Sequence, residues 1–186
     1  MTRRIYIAAL AIATIIQGCS DTAAPAKLQP QVVSTAAVEA PAVPIPGLSL
    51  GLPESVRGLP FAVGGKCTLD AIGSDREPHP VSVSTNAAFT VYGWAFDDTA
   101  VNATVPPVIL LQLVRDGKYY HAALARNAER SDVAKVFSNA ALVAAGYSGS
   151  VGTKDMPPGE YEVLVLQRGP KTNLICPTYR LIRVTA

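Results

Sequence analysis

Histidine is scarce in this 186-residue chain, where it occurs only as His79 and His121. Neither histidine stands near a nucleophile motif such as Gly-x-Ser-x-Gly, and His79 lies between two prolines, as in an exposed loop. Paired carboxylates occur only as the adjacent Asp97 and Asp98, which would point apart on a strand and which we expect in a loop at a strand end. Because the residues for acid–base or nucleophilic catalysis are lacking, we expect the protein not to be an enzyme.

Charge is also scarce, since charged residues make up 16% of the chain. The formal net charge is +2, and two of the 16 basic residues are Arg3 and Arg4. Without residues 1–18 the chain carries 14 basic and 14 acidic residues, a net charge of zero. A neutral protein without a basic cluster has no long-range attraction for nucleic acid, so we expect no nucleic-acid partner.

The chain lacks an apolar run long enough to span a membrane at its N-terminus. The uncharged run at residues 5–16 is about a dozen residues long, whereas a spanning helix needs roughly 20. A run of this length behind Arg3 and Arg4 is typical of the apolar core of a secretory signal peptide. An uncleaved anchor helix stays open as an alternative.

The end of this run, "IIQGC" at residues 15–19, resembles the lipobox of bacterial lipoproteins. Ile16, Gly18 and Cys19 fill its aliphatic, small and cysteine positions. The resemblance implies that residues 1–18 are a signal peptide and that lipid on Cys19 anchors the protein in the cell envelope. Ser20 after the cysteine implies, by the same resemblance, the outer membrane. An ordinary cleaved signal with an incidental cysteine is the other alternative.

Residues 19–60 are rich in alanine, proline and small polar residues. Proline recurs seven times in this region, which breaks any apolar period of 2 or 3.6 residues. Such a segment buries too little surface to offset its ordering entropy, so we expect a disordered, partly polyproline-II tether. The alternative is that part of it, "IPGLSLGLP", packs on the folded domain as an irregular strand.

The folded domain is predicted at residues 61–186, where short strands alternate with turn residues. The clearest strand is "AFTVYGWAF" at 88–96, which is apolar on both faces and therefore central. A second strand at 108–115 leads through the hairpin signal Asp116-Gly117 into a return strand at 118–125. Further strands are predicted at 66–73, 160–168 and 174–185.

The strand pattern predicts an all-β fold, an Ig-like antiparallel β-sandwich with one short helix in a crossing loop. The helix is expected at about residues 131–138, where apolar residues follow helical spacing and Ser131 or Asp132 is placed to act as N-cap. Pro177 removes a backbone donor from the last strand, which indicates an edge or a bulge there.

Cysteine is nearly absent too, and Cys67 and Cys176 are the only cysteines besides Cys19. In an exported protein these two residues meet an oxidising compartment, which predicts a disulfide that joins the first strand to the last. Two free buried thiols are the alternative. We expect neither a metal site nor a cofactor, because two cysteines and two distant histidines lack any ligand spacing.

Four motifs occur in a recognisable order, namely "GWAFD" (93–97), "RSDVAKVF" (130–137), "AGY" (145–147) and "PPGEYEVLV" (157–165). Together they resemble a β-sandwich module of bacterial envelope and glycan-related proteins, over about residues 86–167. The resemblance implies a fold, a Gly-Tyr strand at 146–147 and no catalytic residues. We expect Trp94 to fill the inter-sheet core, Gly93 to allow a close approach, and Arg130 and Asp132 to pair at the helix entrance.

These observations predict an envelope-anchored lipoprotein that displays a non-catalytic binding module for protein or glycan. Its expected ligand contacts are Tyr120, His121, Asp97 and Arg126, as an aromatic platform with polar partners. Because side chains alternate along a strand, at most one of Tyr119 and Tyr120 belongs to such a platform. The alternative is a structural or assembly subunit of an envelope complex, which an exposed apolar patch would favour.

Overall fold

The computed structural model describes residues 48–99 and 102–186. The predicted signal peptide at 1–18, the predicted lipid-attachment residue Cys19 and most of the predicted tether lie outside the described residues. No helix in the described part of the chain is both long and apolar enough to cross a membrane.

The described residues consist mostly of strands, which confirms the all-β class. The strands are β1 (Ser49–Leu50), β2 (Phe61–Val63), β3 (Lys66–Ile72), β4 (Val81–Ser84), β5 (Ala88–Phe96), β6 (Ile109–Arg115), β7 (Lys118–Ala128), β8 (Gly146–Gly152), β9 (Gly159–Arg168) and β10 (Asn173–Thr185). The helices are α1 (Ser131–Val136) and two short 3-10 helices at Glu54–Val56 and Ala140–Ala145.

The local signals for the helix and the hairpin agree with the structure except at the helix start. The N-cap of α1 is Arg130 and no side chain caps it, so the prediction that Ser131 or Asp132 is the N-cap is wrong. Asp116 and Gly117 join β6 to β7 with φ values of 51° and 71°, the left-handed pair that a tight hairpin turn requires.

The strands form one curled sheet in the hydrogen-bonded order β2-β10-β9-β6-β7-β8-β5-β3. The long strand β7 joins the two halves of this order. Residues 118–124 of β7 pair with β6, whereas Ala125 and Ala128 pair with β8 across a register shift. β1 pairs with β7 at Tyr120 and His121, and β4 pairs in parallel with the end of β10.

A disulfide between Cys67 of β3 and Cys176 of β10 links the two ends of the curl, as predicted, with Cα atoms 6.2 Å apart. The register of β10 against β9 shifts between Pro177 and Arg180, which confirms the predicted bulge. The main core lies inside the curl and includes Val91, Leu111, Leu113, Tyr147, Tyr161, Val163, Val165 and Ile182.

Trp94 does not fill this core, so that prediction is wrong. Side chains alternate along β5, and the alternation sends Trp94 to the outer face, where α1 and the following 3-10 helix cover it. Its ring stacks on Phe96 at 5.6 Å and meets Phe137 edge-on at 5.8 Å between centroids. The fully buried Tyr147 packs in the main core instead.

The segment at residues 48–60, which composition places in the predicted tether, lies on the domain. After β1, this segment crosses the outer face of the sheet and buries Val56 completely against Leu110 and Leu166. Asn173 of β10 donates its side-chain amide to the carbonyl of Val56 at 2.7 Å. The folded part therefore includes residues 48–60, upstream of the predicted start at residue 61.

Candidate functional site

Most of the residues predicted to contact a ligand are buried, namely Tyr120, His121 and Asp97, with Arg126 half-buried. Tyr120 points into the main core, where its ring meets that of Tyr161 edge-on at 5.8 Å. His121 points the other way, but the segment at 48–60 covers it there. The prediction of an exposed platform at these residues is therefore wrong, because the covering segment has the composition of a tether.

Asp97 and Arg126 bind other parts of the chain. The carboxylate of Asp97 accepts hydrogen bonds from the backbone N and the hydroxyl of Thr99, at 2.8 and 2.6 Å. Within the described part of the chain, Arg126 donates to neutral acceptors, which are the carbonyls of Ala95, Pro106 and Ala145 and the side-chain oxygen of Gln167. Burial there lowers the pKa of Arg126 to about 10. Both side chains hold loops and strands together.

Arg130 and Asp132 form the predicted pair at the helix entrance, with two hydrogen bonds of 2.9 and 2.7 Å. Arg130 also pairs with Asp70 on β3. The hydrogen bond from Arg130 lowers the pKa of Asp132 to about 2. The sequence did not reveal Asp70 as a partner, because 60 residues separate it from Arg130.

An open concavity of about 560 Å³ lies beside this ion pair, and Tyr92 and Arg76 contribute to its lining. Tyr92 is 46% exposed, so its ring is available for stacking. The guanidinium of Arg130 is already engaged by two carboxylates, which leaves it few free donors for a ligand. In the described ranges, no three His, Cys, Asp or Glu side chains are grouped so that they could hold a metal ion.

A second surface is apolar and lies where the segment at 48–60 meets the outer face of the sheet. We call this surface the apolar patch. Its members are Leu52, Phe61 and Tyr119, which are 42%, 39% and 47% exposed, and Val63, which pairs with the groove-lining Ile175 and is 79% exposed. Large apolar side chains grouped in this way are typical of surfaces that bind another molecule.

The apolar patch surrounds a groove of about 340 Å³, and its lining residues are Gly51, Leu52, Phe61, Gln112, Tyr119 and Ile175. None of these six residues is charged. Tyr119 reaches the groove because β7 alternates, which sends Tyr120 into the core and Tyr119 outward. The volume lies near the lower end of the range of about 300–1,000 Å³ that small-ligand pockets occupy.

A buried polar chain lies beneath the groove. The side-chain nitrogen of Gln112 is 3.1 Å from Nε2 of His121, and Nδ1 of His121 is 2.8 Å from the carbonyl of Gly51. Burial lowers the pKa of His121, which favours the neutral imidazole. The other end of the amide, Oε1 of Gln112, is buried without a hydrogen-bond partner in the described residues.

Sequence reasoning missed this groove because its two walls come from different predicted regions. Leu52 falls in the predicted tether, whereas Gln112 and Tyr119 fall in the predicted domain. The alternative that "IPGLSLGLP" packs on the domain is the signal that points to this groove, and the structure pairs residues 48–51 of that stretch with β7 and β8.

Comparisons of the chain with protein-family models, curated proteins and solved structures find no match.

Proposed function

We propose that this chain is a lipid-anchored protein of the bacterial cell envelope whose non-catalytic all-β domain binds another protein through the apolar patch. In this proposal, residues 1–18 are a signal peptide, Cys19 carries the lipid and residues 20–47 form the tether. The curled sheet is then a distorted member of the Ig-like β-sandwich class, with β7 connecting what would otherwise be two separate sheets.

The observation that carries the binding proposal is one uncharged groove lined by three exposed large apolar side chains, those of Leu52, Phe61 and Tyr119. Leaving such side chains in water is unfavourable by about 25 cal/mol for each Å² of apolar surface, so covering them with a partner releases free energy. The centres of protein–protein interfaces are depleted in charge and enriched in aromatic residues, as this surface is with Phe61 and Tyr119.

A protein partner is favoured over a glycan by the same geometry. A glycan site combines an exposed aromatic face with several polar groups that bind hydroxyls, and three of the four residues predicted for that role, Tyr120, His121 and Asp97, are buried. The groove walls are mainly apolar, and their polar side-chain groups are the amide of Gln112 and the hydroxyl of Tyr119. An apolar side chain of a protein fits such a lining better than a hydroxyl-rich sugar.

The anchor is tested by mass spectrometry of the mature N-terminus in a bacterial host that processes lipoproteins. We expect a chain that begins at Cys19 and carries a diacylglyceryl thioether and an acylated amine, and we expect Cys19→Ser to abolish both. An unmodified Cys19, or a chain that retains residues 1–18, would refute the anchor.

The binding surface is tested by photo-crosslinking in the native envelope, with a photoreactive phenylalanine analogue at position 119. Tyr179 provides the matched control, because it is also an exposed tyrosine but lies at the β10 bulge, outside the apolar patch. We expect one discrete protein adduct from position 119, none from position 179, and loss of the adduct when Phe61→Asp places a charge beside the groove. Equal adducts from both positions, or an adduct insensitive to Phe61→Asp, would contradict the proposal.

A further inference from the structure

The hydrogen-bond directions beneath the groove follow from the chemistry of the three groups. The Gly51 carbonyl can only accept, so Nδ1 of His121 carries the proton that bridges the 2.8 Å contact. In the neutral ring Nε2 is then an acceptor, and the amide nitrogen of Gln112 donates to it. This assignment fixes the amide orientation and turns Oε1 of Gln112 away from His121.

Oε1 of Gln112 is thus an acceptor that the described residues leave without a donor. A buried acceptor without a partner costs about 1–3 kcal/mol, and such groups are rare in folded proteins. Gln112 also lines the apolar groove, so the side chain that carries this acceptor borders the space that a bound group would occupy. A donor that arrives with the bound group would remove this cost.

We propose that the groove binds a neutral apolar group that donates one hydrogen bond from N–H or O–H to Oε1 of Gln112, such as the indole or phenol side chain of a protein partner. This inference rests on the proposed function, since it names the side-chain chemistry that the partner presents.

The lining of the groove supports both parts of this chemistry. The walls formed by Leu52, Phe61, Tyr119 and Ile175 offer an apolar and aromatic enclosure. They contain no charged side chain that could compensate a charge on the ligand, and an unpaired charge loses much of its hydration in such a place. Oε1 of Gln112 is a hydrogen-bond acceptor without a partner in the described residues, so the group that the bound molecule has to supply is a hydrogen-bond donor.

A modest movement brings the acceptor to the ligand. Oε1 is shielded from solvent in the unliganded arrangement, but the terminal torsion of a glutamine is broad and has no sharp energy wells. In this proposal a small rotation of the amide turns Oε1 toward the groove while its nitrogen stays close to His121.

The test compares indole with 1-methylindole by NMR titration of the full mature chain. The two probes share the bicyclic ring, but the second lacks the N–H donor. We expect indole to bind about tenfold more tightly to the wild-type protein, the effect of one hydrogen bond to a buried acceptor. Gln112→Met keeps the length of the side chain and removes the acceptor, so the preference should fall to about onefold or reverse.

Thermal denaturation tests whether the Gln112→Met variant folds. If this variant does not fold, Gln112→Leu is used in its place. Three results would overturn the inference: no binding of indole at millimolar concentration, equal affinities of the wild type for both probes, or a preference that survives in the Gln112 variants. These results are separable from the crosslinking outcome. A position-119 adduct without indole selectivity removes only the ligand chemistry, whereas indole selectivity without an adduct removes only the protein partner.

Discussion

Gly93 is a position where a missing side chain determines the packing. Its cross-strand neighbour on β8 is Tyr147, whose hydroxyl donates to the carbonyl of Thr68 on β3 at 3.1 Å. A Cβ atom at residue 93 would overlap both that carbonyl oxygen and the Tyr147 hydroxyl. The predicted close approach at Gly93 is therefore confirmed, and the ring of a fully buried tyrosine uses the space.

We expect Gly93→Ala to destabilise the protein by about 2 kcal/mol or more, because overpacking forces the strand or the tyrosine to move. Chemical denaturation measures the free energy of unfolding. Gly73→Asn is the matched control, since residue 73 has a φ of 62° and a Cβ atom there would meet nothing within 4 Å. Asparagine tolerates that conformation, so the control should change stability little. If Gly93→Ala changes the free energy of unfolding as little as Gly73→Asn does, β5 and Tyr147 pack less closely than the structure indicates.

His121 makes the stability of the fold depend on pH. Burial lowers its pKa in the folded state, whereas the unfolded chain binds a proton with a pKa of about 6.5. As the pH falls below about 6.5, the unfolded state takes up a proton that the folded state resists, so stability decreases until the folded pKa is reached. The stabilisation is fully present above the unfolded pKa.

We expect the free energy of unfolding of the wild type to decrease between pH 7 and pH 5, by up to about 1.4 kcal/mol for each pH unit from this one group. Denaturant titrations at a series of pH values measure the slope. His121→Gln should flatten it. Identical slopes in the wild type and in His121→Gln would contradict the assignment of a neutral buried imidazole.

At the scale of elements, the segment at 48–60 determines what the sheet exposes. It covers His121 and Gln112, inserts Val56 between Leu110 and Leu166, and supplies one wall of the groove. Arg168 of β9 reinforces it by donating to the carbonyl of Ser55. The apolar patch proposed to bind a partner therefore exists only while this segment stays attached to the sheet.

Val56→Ala tests that attachment. We expect a loss of about 2 kcal/mol, because two methyl groups leave a completely buried site. Val63→Ala is the matched control, as Val63 is highly exposed and its substitution should cost little. Hydrogen exchange of the backbone N–H of His121 and Gly51 should accelerate in the first variant and not in the second. Equal stability of the two variants would mean that the segment contributes no packing energy.

The sequence predicted strands and turns correctly where the signal lies within a few residues. It predicted the exposure of a side chain wrongly where a segment distant in sequence covers that side chain. Alternation and turn chemistry located β5, the β6–β7 hairpin and β9, because these signals act over a few residues. The resemblance placed a Gly-Tyr strand at 146–147, which the structure extends to Gly152. Alternation also separates Tyr119 from Tyr120, but it does not reveal which face a crossing segment covers, and so the predicted exposure of His121 is wrong.

At the scale of the whole molecule, the ends of the curled sheet meet at the bulge of β10. β2 pairs in parallel with the first residues of β10 and β4 with the last ones. Between them, Cys176 bonds to Cys67 of β3, and Arg180 donates to the carbonyl of Leu69 at 3.4 Å. β3 is thus held against β10 by side chains where backbone pairing does not reach.

The Cys67–Cys176 disulfide should therefore contribute much of the stability of the domain. It closes a chain loop with a sequence separation of 109, for which the chain-entropy model gives on the order of 4–5 kcal/mol, mainly by restricting the unfolded state. We expect Cys67→Ser together with Cys176→Ser to unfold at a much lower guanidinium concentration than the wild type. A reducing agent should shift the wild type to the same midpoint and leave the double variant unchanged. If the midpoints of the oxidised and reduced wild type coincide, hydrogen bonds and packing close the curl by themselves, and the disulfide adds nothing to the stability of the fold.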